Sequence, residues 1–212
     1  DARGHGHSDK PHDPEAYQMV RRVADVVSVM DDLGIAMAHF LGYSAGGGVA
    51  TGIVKRAPGR FRSLIIHSSL AFVDRYPSLG PSPQLDVFRR GKDAVHAWIR
   101  DMVGDRWTPQ VETSVAAQVA ANDFVALAAQ LSLRETVGAE DLLSSMTIPC
   151  LVLVGDRAMY APGVSRYDAL RAQVARMPNA ALVALPGCDH LTAFYRSDLV
   201  LPHIREFLAS VP

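Results

Sequence analysis

Apolar and polar positions along this chain follow two rhythms, and the order in which they occur suggests an architecture. After a polar, Gly- and His-rich opening, Met19, Val23, Val26, Val27, Met30 and Leu33 recur at helical spacing. Asp13 and Pro14 stand where an N-cap and a first helical residue belong, and Gly34 stands where a helix stops. "MAHFLGYS" and "FRSLIIHSSL" are short apolar runs of strand type, separated by a small-residue helix, "AGGGVATGIVKRAPG". The alternation returns in "IPCLVLVG", a helix over roughly 164–176, "AALVALPG" and a last helix near 198–209. Strands alternating with helices through short connections predict an α/β fold with a mainly parallel sheet and flanking helices.

Between about Ala71 and Met146 the rhythm changes. The irregular "YPSLGPSPQ" leads into three helical segments, "DVFRRGKDAVHAWIRDMVG", "QVETSVAAQVAAND" and "FVALAAQLSLRETV", with no strand signal. Both ends return to the same sheet. The expected organisation is therefore a core of residues 1–70 and 147–212 carrying an α-helical insertion over 71–146.

Composition narrows the function classes. At 212 residues, 49% hydrophobic and 20% charged, the chain is long enough for one well-buried domain with such an insertion. A formal net charge of -1 predicts neither a nucleic acid nor an anionic membrane as partner. No apolar run approaches the ~20 residues that span a bilayer. Cys150 and Cys188 read as small buried hydrophobes of a reducing, cytoplasmic protein rather than as a disulfide framework.

The chemistry starts at "GYSAGG", residues 42–47, a G-x-S-x-G pattern with a strand before it and a helix after it. A sharp strand-to-helix turn there lifts the Ser44 hydroxyl above the sheet, and Gly42 and Gly46 are expected to prevent side-chain collisions as the backbone doubles back. A serine hydroxyl needs a base. His190 in "LPGCDHLTAF" follows a strand and is expected on a loop at the carboxyl edge of the sheet, where catalytic groups of parallel sheets gather. His5, His7 and His12 lack a carboxylate or cysteine at ligand spacing and read as a solvated loop. Trp98, Trp107, Phe124 and Tyr160 fit either a substrate pocket or, for the first three, helical core positions.

Taken together, these segments resemble the α/β-hydrolase family over nearly the whole chain. "DARGHGHSDKP" is similar to that family's D-x-R-G-x-G-x-S loop, "GYSAGG" to its nucleophile elbow and "PGCDH" to its histidine loop, and the helical insertion lies where the family carries a cap. The resemblance implies a serine hydrolase, since the dehalogenase and epoxide hydrolase branches place an aspartate where Ser44 stands. It implies Ser44 as nucleophile, His190 as base and the Ala45 N–H as an oxyanion donor. Family members carry further strands, and a segment with a second oxyanion donor, ahead of the first motif. The expectation is thus a fragment, or the ordered part of a longer polypeptide.

The family also places an acid three residues after a strand-ending glycine, with a proline four further on. Gly155 and Pro162 fit that frame, and the acid's own position holds Ala158. Asp156 is the nearest carboxylate: either it serves His190 through a reshaped turn, or it caps the loop beside Arg157. Asp74 and Asp189 are further candidates. The function expected is hydrolysis of a small or medium carboxylic ester, or a related lactone or thioester, through an acyl-enzyme, with no metal or organic cofactor. The alternative is a truncated, non-catalytic scaffold that binds a ligand or partner, its exposed half-sheet covered by a second copy as a homodimer.

Overall fold

The structure is a computed structural model that describes residues 1–72, 83–133, 135, 138–161 and 163–211. Asp74, the proline-rich stretch 76–82, Pro162 and the side chain of Tyr160 lie outside the described residues. The chain forms two compact units: Asp1–Asp25 with Ser78–Glu135, and Val26–Pro77 with Thr136–Pro212.

The second unit holds a parallel sheet of strands β1 (Ala38–Tyr43), β2 (Phe61–His67), β3 (Cys150–Gly155) and β6 (Ala180–Leu185), in the spatial order β1-β2-β3-β6. Burial explains the order. β2 and β3 are the continuously apolar runs and are buried on both faces, whereas β1 and β6 alternate and occupy the edges. Helix α2 (Ala45–Arg56) packs on β1 and β2, α7 (Arg166–Val174) on β3 and β6, and α8 (His190–Tyr195) with α9 (Ser197–Ser210) against β3. One core cluster joins Ile65, Leu151, Leu153, Leu185, Ala193, Val200 and Ile204 with Cys188. Burying each large aliphatic side chain of this kind contributes about 1.5–3 kcal/mol. Cys150 and Cys188 are both buried and unpaired, as small apolar groups. A short antiparallel hairpin, β4 (Met159–Ala161) with β5 (Val164–Ser165), was not signalled by the hydropathy pattern; strands this brief carry no period.

The parallel register sets up the site. Tyr43 lies opposite His67, His67 opposite Leu153, and Gly155 opposite Leu185, so all four strands end along one edge.

The helical unit contains α3 (Pro83–Arg89), α4 (Lys92–Val103), α5 (Pro109–Ala121) and α6 (Phe124–Ser132). The sequence suggested one helix where α3 and α4 stand; Gly91, at φ 88°, breaks it. Phe124 and Trp98 pack with Val87, Val95, Val119 and Leu127 in this unit's core, while the Trp107 indole donates to Glu112. In the N-terminal loop, His12 Nε2 pairs with Asp123 at 2.9 Å and Arg3 forms a two-pronged bond to Asp25. The helix expected from Pro14 is likewise interrupted: a 3-10 turn, Pro14–Tyr17, capped by Asp13, gives way at Gln18 to α1 (Met19–Asp32). Val23 and Met30 point inward from α1, whereas Leu33, past its end, is exposed.

Candidate active site

The turn from β1 into α2 is stereochemically strained. Ser44 has φ 51° and ψ -118°, a backbone conformation that side chains rarely adopt. Its N–H donates to the His67 carbonyl at 2.9 Å, and its own carbonyl accepts from Gly47 N–H at 3.0 Å, so both flanks of the turn are tied down. Gly42 is required, because a Cβ there would meet the Gly46 carbonyl carbon at 2.6 Å and the Gly47 nitrogen at 2.7 Å. Gly46 is not, since nothing lies within 4 Å of its Cβ position. The second tight glycine is Gly47, whose Cβ would sit 2.4 Å from that of Ser69. The expectation for Gly46 is corrected accordingly: the close neighbour comes from the segment after β2, one residue along. Ala45 is the first residue of α2, whose amino end carries the positive end of the helix dipole.

His190 stands at the other side of the edge. It is the first residue of α8 rather than part of a loop, because Asp189 caps that helix. The Asp189 carboxylate accepts from Thr192 N–H and Thr192 Oγ1, each at 2.7 Å, while Asp189 N–H donates to Thr192 Oγ1 at 2.7 Å. The result brings Ser44 Oγ within 3.0 Å of His190 Nε2.

The acid is where sequence and structure part. Asp156 is exposed, with its N–H bonded to the Leu185 carbonyl, and no hydrogen bond among the described residues joins its carboxylate to His190. Ala158 is 1% exposed, in the turn closed by its N–H to the Gly155 carbonyl. That turn packs on the histidine segment: Arg157 N–H donates to the Cys188 carbonyl at 2.9 Å, and a Cβ on Gly155 would lie 2.2 Å from the same oxygen. His190 Nδ1 is buried and has no hydrogen-bond partner among the described residues. If Nε2 is to accept the serine proton, Nδ1 must carry the ring's hydrogen, and a buried donor without an acceptor costs about 1–3 kcal/mol. No described residue then fixes the tautomer.

Burial first, and then the neighbouring Arg166 and His67, lower the His190 pKa to about 4, against a weaker opposite pull from Asp189. The ring is therefore neutral at pH 7: in the right state to receive a proton, but a weak base. Three more groups meet here that sequence reasoning did not select. His67, at the end of β2, is buried with Nε2 lacking a partner among the described residues, and burial lowers its pKa to about 4. Tyr43 stacks on the His190 ring and donates its hydroxyl to the His190 carbonyl at 2.8 Å. Arg166, at the start of α7, donates to the Ser68 carbonyl at 3.3 Å. Tyr43 and His67 carried a signal, since both end apolar strands at the edge that holds Ser44; Arg166 carried none. Among the described residues, no group of three or more His, Cys, Asp or Glu side chains is placed to hold a metal ion, and no helix is long and apolar enough to cross a membrane.

Comparison with known proteins agrees with this fold. A 2-hydroxymuconate semialdehyde hydrolase of Pseudomonas putida is 27% identical over 219 residues, spanning 99% of this chain and 75% of the relative. Carboxylesterase YbfK of Bacillus subtilis is 26% identical over 190 residues, spanning 85% of this chain and 60% of the relative. Among solved structures, a hydrolase from Pseudomonas aeruginosa PA01 superposes with a TM-score of 0.81 at 25% identity, over 99% of this chain and 78% of that one. The sequence profile of the alpha/beta hydrolase fold matches residues 1–140. With a parallel sheet, a strained strand-to-helix serine turn and a histidine delivered to it from the far edge strand, the chain belongs to the α/β-hydrolase family.

Proposed function

We propose that this chain hydrolyses small or medium carboxylic esters, or related lactones or thioesters, with Ser44 as nucleophile and His190 as general base. One observation carries the reading: Ser44 Oγ, on a strained turn at the head of α2, lies 3.0 Å from His190 Nε2. Ser44 Oγ attacks the ester carbonyl carbon as its proton passes to His190 Nε2. The carbonyl π electrons move to oxygen, and the Ala45 N–H is the donor assigned to that oxyanion. Collapse breaks the bond to the leaving alcohol, which takes the proton from His190 and departs, leaving an acyl-Ser44. Water then attacks the acyl carbon, giving its proton to Nε2. Collapse breaks the bond between the acyl carbon and Ser44 Oγ, which takes back the proton from Nε2, and releases the carboxylic acid. Losing the triad acid lowers turnover by roughly 10⁴ yet leaves catalysis about 10³–10⁴ above water, so the Ser-His pair supports a slow enzyme. The two buried, unpaired cysteines support a reducing, cytoplasmic setting.

His190 Nδ1, without a partner among the described residues, favours a second reading, a ligand-binding scaffold without turnover. Labelling of the folded protein with a fluorophosphonate separates the two. The enzyme reading expects covalent modification at Ser44, located by peptide mass and abolished in Ser44→Ala and His190→Ala. Folded protein whose Ser44 stays unmodified at long exposure belongs to the second reading.

A further inference from the structure

We infer that Tyr43 is the positioning residue for the His190 imidazole, holding it at Ser44 by a stacked ring and a hydroxyl bond in place of a carboxylate on Nδ1. The inference rests on the serine-hydrolase reading and extends it. A triad acid does two things for its histidine: it fixes the ring's orientation, and it stabilises the imidazolium that forms when the serine proton arrives. With Ala158 buried in that acid's place and Nδ1 without a partner among the described residues, both tasks fall to whatever else touches the ring.

Tyr43 is the side chain in position to take them. Its ring lies nearly parallel to the imidazole, centroids 5.1 Å apart and planes 20° from each other, so the imidazolium would form against an aromatic face. Its hydroxyl donates to the His190 carbonyl at 2.8 Å, anchoring the first residue of α8 from which the imidazole projects. Burial raises the pKa of that hydroxyl to about 12, so the donor persists across the working pH range.

Tyr43 is itself immobilised. It ends β1 in register with His67, whose ring meets it edge-on at 5.2 Å, and Phe194 of α8 packs on it at 4.7 Å. A ring held on two sides transmits strand geometry to the base. What Tyr43 does not do is accept a hydrogen from Nδ1, so it replaces orientation and part of the charge stabilisation while leaving the tautomer unset.

The test is a double-mutant cycle between Tyr43 and Ala158, read as fluorophosphonate labelling rate and as kcat for a chromogenic ester. Tyr43→Phe keeps the ring and removes only the anchor; kcat should fall about three- to tenfold with KM unchanged. Tyr43→Leu removes the aromatic face as well; kcat should fall about tenfold further, and the acid limb of kcat/KM should move to lower pH. In an Ala158→Asp background, where a carboxylate takes over both tasks, the two losses should shrink to within about threefold. Equal losses in both backgrounds, or Tyr43→Phe matching the wild type in kcat and labelling rate, would overturn the proposal while leaving Ser44 as nucleophile. A wild-type chain that is folded but unlabelled overturns the serine-hydrolase reading and, with it, this proposal. Tyr43→Phe deletes one oxygen, and thermal unfolding of each variant separates a lost fold from a misplaced base.

Discussion

Two turns leave the carboxyl edge of the sheet beside the segment that carries one histidine: Tyr43–Gly47 after β1, and Gly155–Ala158 after β3. In the first, backbone crowding and function agree. Gly42 and Gly47 leave no room for a side chain, Ser44 is forced to a positive φ, and its oxygen arrives at His190 Nε2. In the second, the crowding is equally severe, with Gly155 pressed against the Cys188 carbonyl and Arg157 bonded to the same oxygen. Yet that turn delivers a buried methyl group, and His190 Nδ1 stays without a partner among the described residues. The framework that aims a functional group is made of backbone contacts, so it is indifferent to whether the group is there.

If the second turn lacks only a carboxylate, supplying one should complete the site, and this is the largest effect expected. Ala158→Asp should raise kcat by as much as about 10²–10⁴, the range that an acid contributes to a serine-histidine pair. The charge of the new carboxylate should also lift the His190 pKa, moving the acid limb of kcat/KM up from near 4. Pre-steady-state kinetics across pH 3.5–8 reads both on the order of a tenfold change or better. Ala158→Asn, which accepts a hydrogen without a charge, should give a smaller gain and a smaller shift. Loss of stability with no gain in rate would mean that the turn does not face Nδ1.

The first turn can be broken one glycine at a time. Gly42→Ala drives a methyl into the Gly46 carbonyl and the Gly47 nitrogen, neither of which can swing aside as a side-chain tip would. A loss of about 3 kcal/mol in unfolding free energy is expected, read by urea titration. Gly46→Ala meets nothing within 4 Å and lies inside α2, so it should be neutral or stabilising by up to about 1 kcal/mol. The G-x-S-x-G pattern marks Gly42 and Gly46 alike. Of the two, only Gly42 is sterically required, by the backbone of Gly46 and Gly47, and the second crowded glycine is Gly47, against Ser69, a neighbour that only the folded chain supplies.

That asymmetry describes how far the sequence could be read. The sheet was legible because β2 and β3 are continuous apolar runs, and the elbow and His190 were legible because each follows a strand end. Asp156 stands nearest along the chain, yet no hydrogen bond among the described residues joins its carboxylate to His190. Its backbone bonds to Leu185 across the strand ends, and its side chain is left exposed while Ala158 is buried. Tyr43 and His67 were adjacent to what was read but not selected. Their roles arise from parallel register and from contact with α8, at sequence separations that no local pattern encodes. The split of one expected helix at Gly91 shows the converse: a local signal was present, and hydropathy periodicity overrode it.

The smallest expected effect concerns protons and separates the two turns by stability rather than rate. His67 and His190 both have folded pKa values near 4, below the ordinary histidine value of 6.5, so each is held neutral by burial. The unfolded chain takes up protons at these two positions as pH falls through 6.5, whereas the folded chain does not until about 4. Their contribution to stability is therefore complete above pH 6.5 and is lost progressively as pH falls toward 4. Urea midpoints measured at pH 7.5, 5.5 and 4.5 should fall in that order. His67→Gln should flatten part of the slope by removing one of the two groups. Ala158→Asp should flatten the other part, because a carboxylate beside His190 raises its folded pKa toward the unfolded value and removes the difference that drives proton uptake. A slope unchanged by Ala158→Asp would place the His190 proton beyond the reach of the second turn, and the rate gain expected there would go with it.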